Sequence, residues 1–171
     1  MKFFLSLMFI CFTTLLSGAV LKMEAYGTTN TKIFTLSKNR IYIALSNKGI
    51  VTHDIGVRGV SECEGIIEII DGITTTNLMC KYIEENGDES FSQFKATTQP
   101  NSNNRFIQIF TILEGTGRWK ELIGQKCIGA TSTIRQKDLG DGHNEAQFMW
   151  AGKCEVPDSI LERVKNYKKI Q

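Results

Sequence analysis

Apolar and polar residues alternate with a period of two along most of the chain, a pattern typical of half-buried β-strands. Residues 144–154 show it most clearly, because Phe148 and Trp150 fall on one face and their sequence neighbours on the other. Turn-forming residues separate such segments. The strongest turn sequence, Asp71-Gly72, lies between two runs rich in β-branched residues and is typical of a two-residue hairpin loop. The pattern therefore predicts strands joined by short hairpins.

About eight strands are predicted in this way. The segments are residues 31–36, 40–45, 50–53, a strand through Cys63, residues 74–84, a strand carrying Phe91 and Phe94, and residues 106–113, 125–135 and 144–154. Residues 46–49 are expected to form a turn. No helices alternate with the strands, so the pattern favours an all-β fold, an antiparallel β-barrel over residues 31–156, in which closure removes the sheet edges. A loose lead-in is expected over residues 20–30, and a C-terminal helix over residues 157–171.

Residues 1–19 have the features of a secretory signal peptide. A lysine follows the first methionine, residues 3–16 are almost wholly apolar, and small residues occupy positions 17–19. The alternative is an uncleaved anchor, since the weakly polar stretch extends to residue 21 and about twenty apolar residues span a bilayer. With cleavage after Ala19, we expect a periplasmic or secreted protein.

The number of cysteines predicts two disulfides. Of the five cysteines, Cys11 lies in the proposed signal peptide, and an even number remains, as is usual for cross-linked exported proteins. The four that remain are Cys63, Cys80, Cys127 and Cys154. Four reduced, buried thiols are the alternative. Zinc binding is not favoured, because no Cys-x-x-Cys spacing occurs.

The positions of the turns predict which cysteines pair. With the hairpin loop described above, Cys63 lies directly opposite Cys80 on the neighbouring strand. Cys127 and Cys154 are symmetric about the turn-rich residues 138–143, although a bulge in so long a hairpin would shift their register by one residue. We therefore predict the disulfides Cys63–Cys80 and Cys127–Cys154.

Composition and charge exclude some partners. The 171 residues include 20 Lys and Arg against 18 Asp and Glu, a formal charge of +2, and 42% of them are hydrophobic. So small a surplus provides no basic surface for nucleic acid or for an anionic membrane. We expect no nucleic-acid partner, no membrane partner after signal cleavage, and no cofactor.

The sequence contains no complete catalytic motif, and no catalytic residue is predicted. His53 adjoins Asp54, but successive strand residues point to opposite faces, so we interpret this pair as part of a solvated turn. His143 is expected to be exposed at a hairpin tip.

Three glutamates alternate along one face of the strand that carries Cys63. They are Glu62, Glu64 and Glu68. We interpret them as a solvated outer face, and a carboxylate cluster for calcium or for acid–base chemistry is the alternative. No metal site is predicted.

Residues 115–124 read Gly-Thr-Gly-Arg-Trp-Lys-Glu-Leu-Ile-Gly. They resemble the Gly-Thr-Gly-basic-aromatic-x-Gly-Ile-x-Gly segment of calycin-type barrels related to allene oxide cyclase and dirigent proteins, a segment also found in small secreted bacterial proteins. The likeness extends more loosely over residues 60–154, through Gly65, residues 86–88 and residues 150–152, while Glu121 stands where a glycine is usual. The resemblance implies an eight-stranded antiparallel barrel with an apolar interior, often trimeric in plant members. The resemblance assigns no activity and no catalytic residue to this chain. We interpret the glycines of this segment as positions of positive φ or close approach at a tight corner, with Trp119 folding back onto apolar surface.

We expect a non-catalytic binding or interaction module, an exported and disulfide-stabilised barrel that holds a small hydrophobic ligand. Its interior is expected to draw on Phe106, Phe110, Ile112, Phe148 and Trp150. The same side chains would also pack a barrel with no cavity. Two other functions stay open: an enzyme of the cyclase or isomerase type that uses such a cavity, and a secreted inhibitor or virulence factor that acts through its surface. A homo-oligomer is also left open.

Overall fold

The structure, a computed structural model, describes residues 18–98 and 107–168. These residues form eight strands, a short 3-10 helix and one α-helix. The elements are β1 (Gly18–Ser37), β2 (Arg40–His53), β3 (Arg58–Ile70), β4 (Ile73–Glu84), β5 (Glu89–Thr98), β6 (Ile107–Gly115), the 3-10 helix (Gly117–Leu122), β7 (Lys126–Gly140), β8 (His143–Pro157) and α1 (Asp158–Asn166).

The eight strands form a closed antiparallel barrel in which each strand pairs with the next along the chain. Closure comes from β1 and β8, whose register runs from Gly18 opposite Pro157 to Lys32 opposite His143. The predicted all-β class and the antiparallel barrel are therefore confirmed. Closure gives each strand two neighbours, and the backbone groups that pair in these registers are satisfied within the sheet.

Side chains alternate between the inside and the outside of the barrel, as the period of two requires. On β8, Phe148 and Trp150 are buried while Met149 is exposed. On β3 the glutamates Glu62 and Glu64 are exposed, as predicted for a solvated face, whereas Glu68 is half-buried. The core thus consists of inward-facing residues from strands on all sides of the barrel.

The predicted disulfides are both present. Cys63 lies opposite Cys80 in the β3–β4 register and is bonded to it, with a Cα–Cα distance of 4.0 Å. Cys127 and Cys154 are opposite each other on β7 and β8 and are bonded with a Cα–Cα distance of 4.3 Å. Directly opposed residues on neighbouring antiparallel strands bring their side chains together, which is why both pairs can bond.

The β7–β8 hairpin contains two register shifts and still forms its predicted disulfide. Its turn lies at residues 141–142, and the register shifts between Thr133 and Arg135 and again between Asp138 and Gly140. Each shift moves the pairing by one residue. A total shift of two residues leaves every side chain on the same face of the sheet as in a hairpin without shifts. The cysteines therefore face the interior on both strands.

The prediction of a loose lead-in over residues 20–30 is wrong, because these residues form the first half of β1. Leu21, Met23 and Ala25 point into the core, and the residues between them are exposed. The alternation was hard to detect because several inward positions carry small residues. At Gly27, for example, a side chain would clash with the backbone carbonyl of Lys48.

The predicted turn at residues 46–49 is also wrong, since β2 continues through it to His53. Gly49 faces inward, where an added Cβ would lie 2.6 Å from the carbonyl oxygen of Tyr26. The glycine therefore marks a close approach of two strands and not a reversal of the chain.

The 3-10 helix and α1 lie together across the end of the barrel where β1 begins and β8 ends. Trp119 and Leu122 of the 3-10 helix are buried, as are Leu161 and Val164 of α1. The C-terminal helix was predicted over residues 157–171, and it occupies Asp158–Asn166, because Pro157 is still paired with Gly18 at the end of β8.

Neither helix in residues 18–98 and 107–168 combines the length and the apolar character needed to cross a membrane. The predicted signal peptide, its alternative as an anchor, and Cys11 lie in residues 1–17, outside the described residues, apart from positions 18 and 19. These two residues begin β1, so cleavage after Ala19 would leave the rest of that strand intact.

Candidate functional site

A cavity of about 100 Å³ lies inside the barrel. All eight strands and the 3-10 helix contribute residues to its wall. An engineered cavity of roughly 150 Å³ holds benzene, and drug-sized ligands need about 300 Å³ or more. The space therefore suits a molecule of only a few non-hydrogen atoms.

Four of the five side chains predicted for the interior line this cavity. They are Phe110, Ile112, Phe148 and Trp150, and all four are buried. Phe106 lies outside the described residues. That any of them binds a ligand stays a prediction.

One part of the wall is an aromatic cluster built by β5, β6 and β8. The rings of Phe94 and Phe110 are stacked, with centroids 4.8 Å apart. Trp150 presents its ring at a steep angle to both, at 5.7 Å from Phe94 and 5.4 Å from Phe110. Such offset and edge-to-face contacts stabilise aromatic clusters beyond their area alone. The cluster makes this part of the cavity wall apolar.

A second ring cluster lies at the plugged end of the cavity and is called the floor here. It consists of His53 from β2, Tyr82 from β4 and Trp119 from the 3-10 helix. The centroid distances are 4.8 Å between His53 and Trp119, 5.1 Å between Tyr82 and Trp119, and 5.3 Å between His53 and Tyr82. Each ring therefore contacts the other two.

The glycine-rich segment before Trp119 explains how its large ring reaches the interior. Gly115 leaves room for the Trp119 backbone, because an added Cβ would lie 2.8 Å from the Trp119 Cβ. Gly117 has φ of +53°, a conformation that favours glycine. These positions bear out the interpretation of the glycines as sites of positive φ or close approach.

His53 does not lie in a solvated turn, so that expectation is wrong. It occupies the last position of β2 and points into the core, while Asp54 is exposed. Burial lowers the pKa of His53 from its ordinary value of 6.5 to about 4. The imidazole is therefore neutral at physiological pH. His143 is exposed at the β7–β8 hairpin, as predicted.

An ion pair lies close to the floor and links it to α1. Arg118 Nε is 3.2 Å from Glu84 Oε2, and both side chains are largely buried. Burial raises the pKa of Glu84, whereas Arg118 and the Trp119 indole favour its ionised form. Arg118 Nη1 also donates a hydrogen bond of 2.8 Å to the Val164 carbonyl of α1. One side chain thus connects the end of β4 to the helix that closes the barrel.

Several buried polar atoms of the cavity wall have no hydrogen-bond partner among the described residues. They include Asn47 Oδ1, His53 Nδ1, Tyr82 Oη and Trp150 Nε1. Leaving such a group unpaired in a protein interior costs about 1–3 kcal/mol. A bound molecule or water that met these atoms would recover part of that free energy.

Sequence reasoning missed the polar residues of the wall and the floor. Ser92 and Gln108 line the cavity, and alternation already places Gln108 on the same face as Phe110. The sequence therefore already indicated that Gln108 faces the interior. Trp119 was expected to pack on apolar surface, but its place in the cavity wall was not readable, because it depends on how the 3-10 helix docks on the barrel end.

Among the described residues, no group of three or more His, Cys, Asp or Glu side chains is arranged to hold a metal ion. Comparison of the chain with models of protein families, with curated proteins and with solved structures finds no match.

Proposed function

We propose that this protein binds a small, mostly apolar molecule inside its barrel and does not transform it. The cavity carries this proposal. Protein interiors pack so densely that voids much larger than one water are few, and a single water occupies about 30 Å³ of liquid. A void of about 100 Å³ lined by aromatic side chains therefore favours a binding site over a fully packed core.

The ionisable groups of the wall favour binding over acid–base catalysis. An enzyme of the cyclase or isomerase type would need a shielded ionisable group beside the cavity, and His53 and Tyr82 both meet that requirement. A general acid or base works best when its pKa lies near the working pH. The pKa of His53 is lowered to about 4, and burial raises that of Tyr82 well above its usual range, so both groups stay neutral at pH 7.

Two disulfides in a β-rich fold are typical of proteins that work in an oxidising compartment. Together with the predicted signal peptide, they support a place in the periplasm or outside the cell. The closed eight-stranded barrel is also the architecture that the resemblance to allene oxide cyclase and dirigent barrels implies. Membership of that family is part of this proposal.

The two tryptophans of the chain provide a direct test, because both line the cavity. We would titrate the protein with 2-methylbut-1-ene, a small apolar probe, and follow the two indole N–H resonances by NMR. Saturable shifts of these resonances are expected. Native mass spectrometry of protein purified from its exporting cell should in addition reveal a co-purifying small molecule.

A matched pair of variants locates the binding. Ser92→Leu fills the cavity from β5, whereas Ser132→Leu places the same side chain on the exposed face of β7. The probe should bind the second variant normally and the first at least tenfold more weakly. No saturable shift in the unmodified protein, or equal binding by both variants, would contradict a cavity site.

A further inference from the structure

The cavity wall carries no formal charge at neutral pH. None of the described residues that line it is Asp, Glu, Lys or Arg, and its histidine is neutral. An ion that entered would lose its hydration without gaining a partner of opposite charge, which is strongly unfavourable. The wall therefore selects uncharged molecules.

The unpartnered atoms of the wall also restrict the chemistry of the ligand. Trp150 Nε1 and Tyr82 Oη have no hydrogen-bond partner among the described residues, although the two residues are only 7% and 8% exposed. An indole N–H can only donate, and a phenol O–H donates readily. Trp150 Nε1 thus requires an acceptor, and the same acceptor chemistry satisfies Tyr82 Oη.

The Trp150 ring is held in place, so its N–H group has a fixed position in the cavity wall. An added Cβ at either Gly129 or Gly152 would clash with the indole, which shows that the ring lies directly over both glycines. The rings of Phe94 and Phe110 pack against the indole at a steep angle. A preorganised donor beside an apolar surface suits a ligand with one polar end.

We propose that the ligand is an uncharged carbonyl compound whose oxygen accepts hydrogen bonds from Trp150 and Tyr82, with its apolar part against Phe94 and Phe110. This inference rests on the proposed function and adds the chemical class of the ligand. A ketone, an ester or an amide of a few non-hydrogen atoms meets the requirements of size, charge and acceptor. We do not count Trp119 among the donors to the ligand, because its indole interacts with the Glu84 carboxylate and favours its ionised form.

Two probes of the same shape separate a carbonyl site from a merely apolar cavity. Butan-2-one differs from 2-methylbut-1-ene only in an oxygen that replaces a methylene group. An apolar cavity binds the alkene more tightly, since the ketone must give up its hydration without compensation. With two unpartnered donors on the wall, the ketone should bind more tightly, by about tenfold. Only the ketone should move the Trp150 indole proton to lower field.

Tyr82→Phe tests the second donor, and Tyr26→Phe on the exposed face of β1 is its matched control. Tyr82→Phe should weaken binding of butan-2-one about fivefold to tenfold and leave binding of 2-methylbut-1-ene unchanged. Tyr26→Phe should change neither. Butanoate and butylammonium should not bind.

The outcomes are distinguishable. If neither uncharged probe binds, the proposed function fails and this inference fails with it. If the alkene binds more tightly than the ketone, the cavity is a binding site but the carbonyl assignment is overturned. A Trp150 resonance unmoved by the ketone, ketone binding unaffected by Tyr82→Phe, or binding of either ion would also overturn it.

Discussion

At the scale of single residues, the floor of the cavity depends on the inward direction of His53. Its neighbour Asp54 is exposed, so the carboxylate does not lie on the same face as the imidazole. The rings of Tyr82 and Trp119 surround the imidazole instead, and burial keeps it neutral. The cavity thereby gains a polar group without gaining a charge.

This burial predicts a dependence of stability on pH. The pKa of His53 is about 4 in the folded protein and near 6.5 when the chain is unfolded. Between these values the unfolded chain binds the proton and the folded protein does not, so the free energy of unfolding rises with pH across this window. Stability should be unaffected by His53 above pH 6.5, and about 3 kcal/mol should be lost as the pH falls to 4.

Urea unfolding of the unmodified protein and of His53→Gln at several pH values measures this effect. The difference in stability between the two proteins should decrease by about 3 kcal/mol from pH 7 to pH 4, because only His53 distinguishes them. His143→Gln, at the exposed hairpin tip, is the matched control and should show a constant difference. A constant difference for His53→Gln as well would refute the buried neutral imidazole.

Individual cavity residues were predictable where alternation alone determines the face. Phe148 and Trp150 are two residues apart on one strand, and so are Phe110 and Ile112, and each pair points inward. Trp119 follows no such rule. Its position results from the glycines before it and from the packing of the 3-10 helix on the barrel end.

At the scale of elements, the β3–β4 hairpin depends on its two-residue turn. Asp71 and Gly72 both have positive φ, 51° and 80°, as a type I′ turn requires. Gly72→Ala should destabilise the protein by about 1–2 kcal/mol, because a side chain is disfavoured in this conformation. Gly72→Asn should cost clearly less, since asparagine tolerates positive φ. Equal losses in thermal unfolding would contradict this turn geometry.

The attachment of α1 to the barrel depends on Arg118. Arg118→Met removes the partner of the buried Glu84 and the hydrogen bond to Val164, so a loss of about 3 kcal/mol is expected in urea unfolding. Adding Glu84→Gln should recover part of that loss, because the unpaired buried charge is then gone.

An exposed ion pair between the 3-10 helix and α1 is the control. Arg163 and Glu121 are 2.7 Å apart but are exposed to solvent. Arg163→Met should therefore cost less than about 1 kcal/mol. If the two arginine variants lose similar stability, burial does not govern the strength of the attachment.

Glycine was an ambiguous indicator of where elements end. Gly72 reverses the chain, whereas Gly49 lies within β2 and allows two strands to approach closely. Each follows a polar residue, Asp71 or Lys48, and precedes an isoleucine, so the local sequence is similar in the two places. The difference lies in the neighbouring strand, and that strand is not visible from the local sequence.

At the scale of the whole molecule, the two disulfides stabilise hairpins and leave the closing seam uncrosslinked. Cys63–Cys80 joins β3 to β4, and Cys127–Cys154 joins β7 to β8. The seam between β1 and β8 is held by the sheet register and by packing. Cooperative stability therefore depends on contacts between the two ends of the described chain.

Removing each disulfide by paired replacement with alanine should have different costs. The sequence separations are 17 and 27 residues, and loops of that size correspond to about 3 kcal/mol each through the entropy of the unfolded chain. Cys127 and Cys154 are completely buried, while Cys63 is only half-buried. The Cys127→Ala/Cys154→Ala protein should be the less stable one, because it also loses packed core volume. Equal midpoints in urea without reductant would contradict this ranking.

The sequence by itself determined the features that depend on local pairing. Alternation indicated the strands and their inward faces, and turn residues indicated the hairpin that places Cys63 opposite Cys80. Only the tertiary structure decided that residues 20–30 belong to β1 and pair with β8, that helices plug one end, and that a cavity remains. These features depend on contacts between residues far apart in the chain, and the curvature of the closed sheet sets the distances between them.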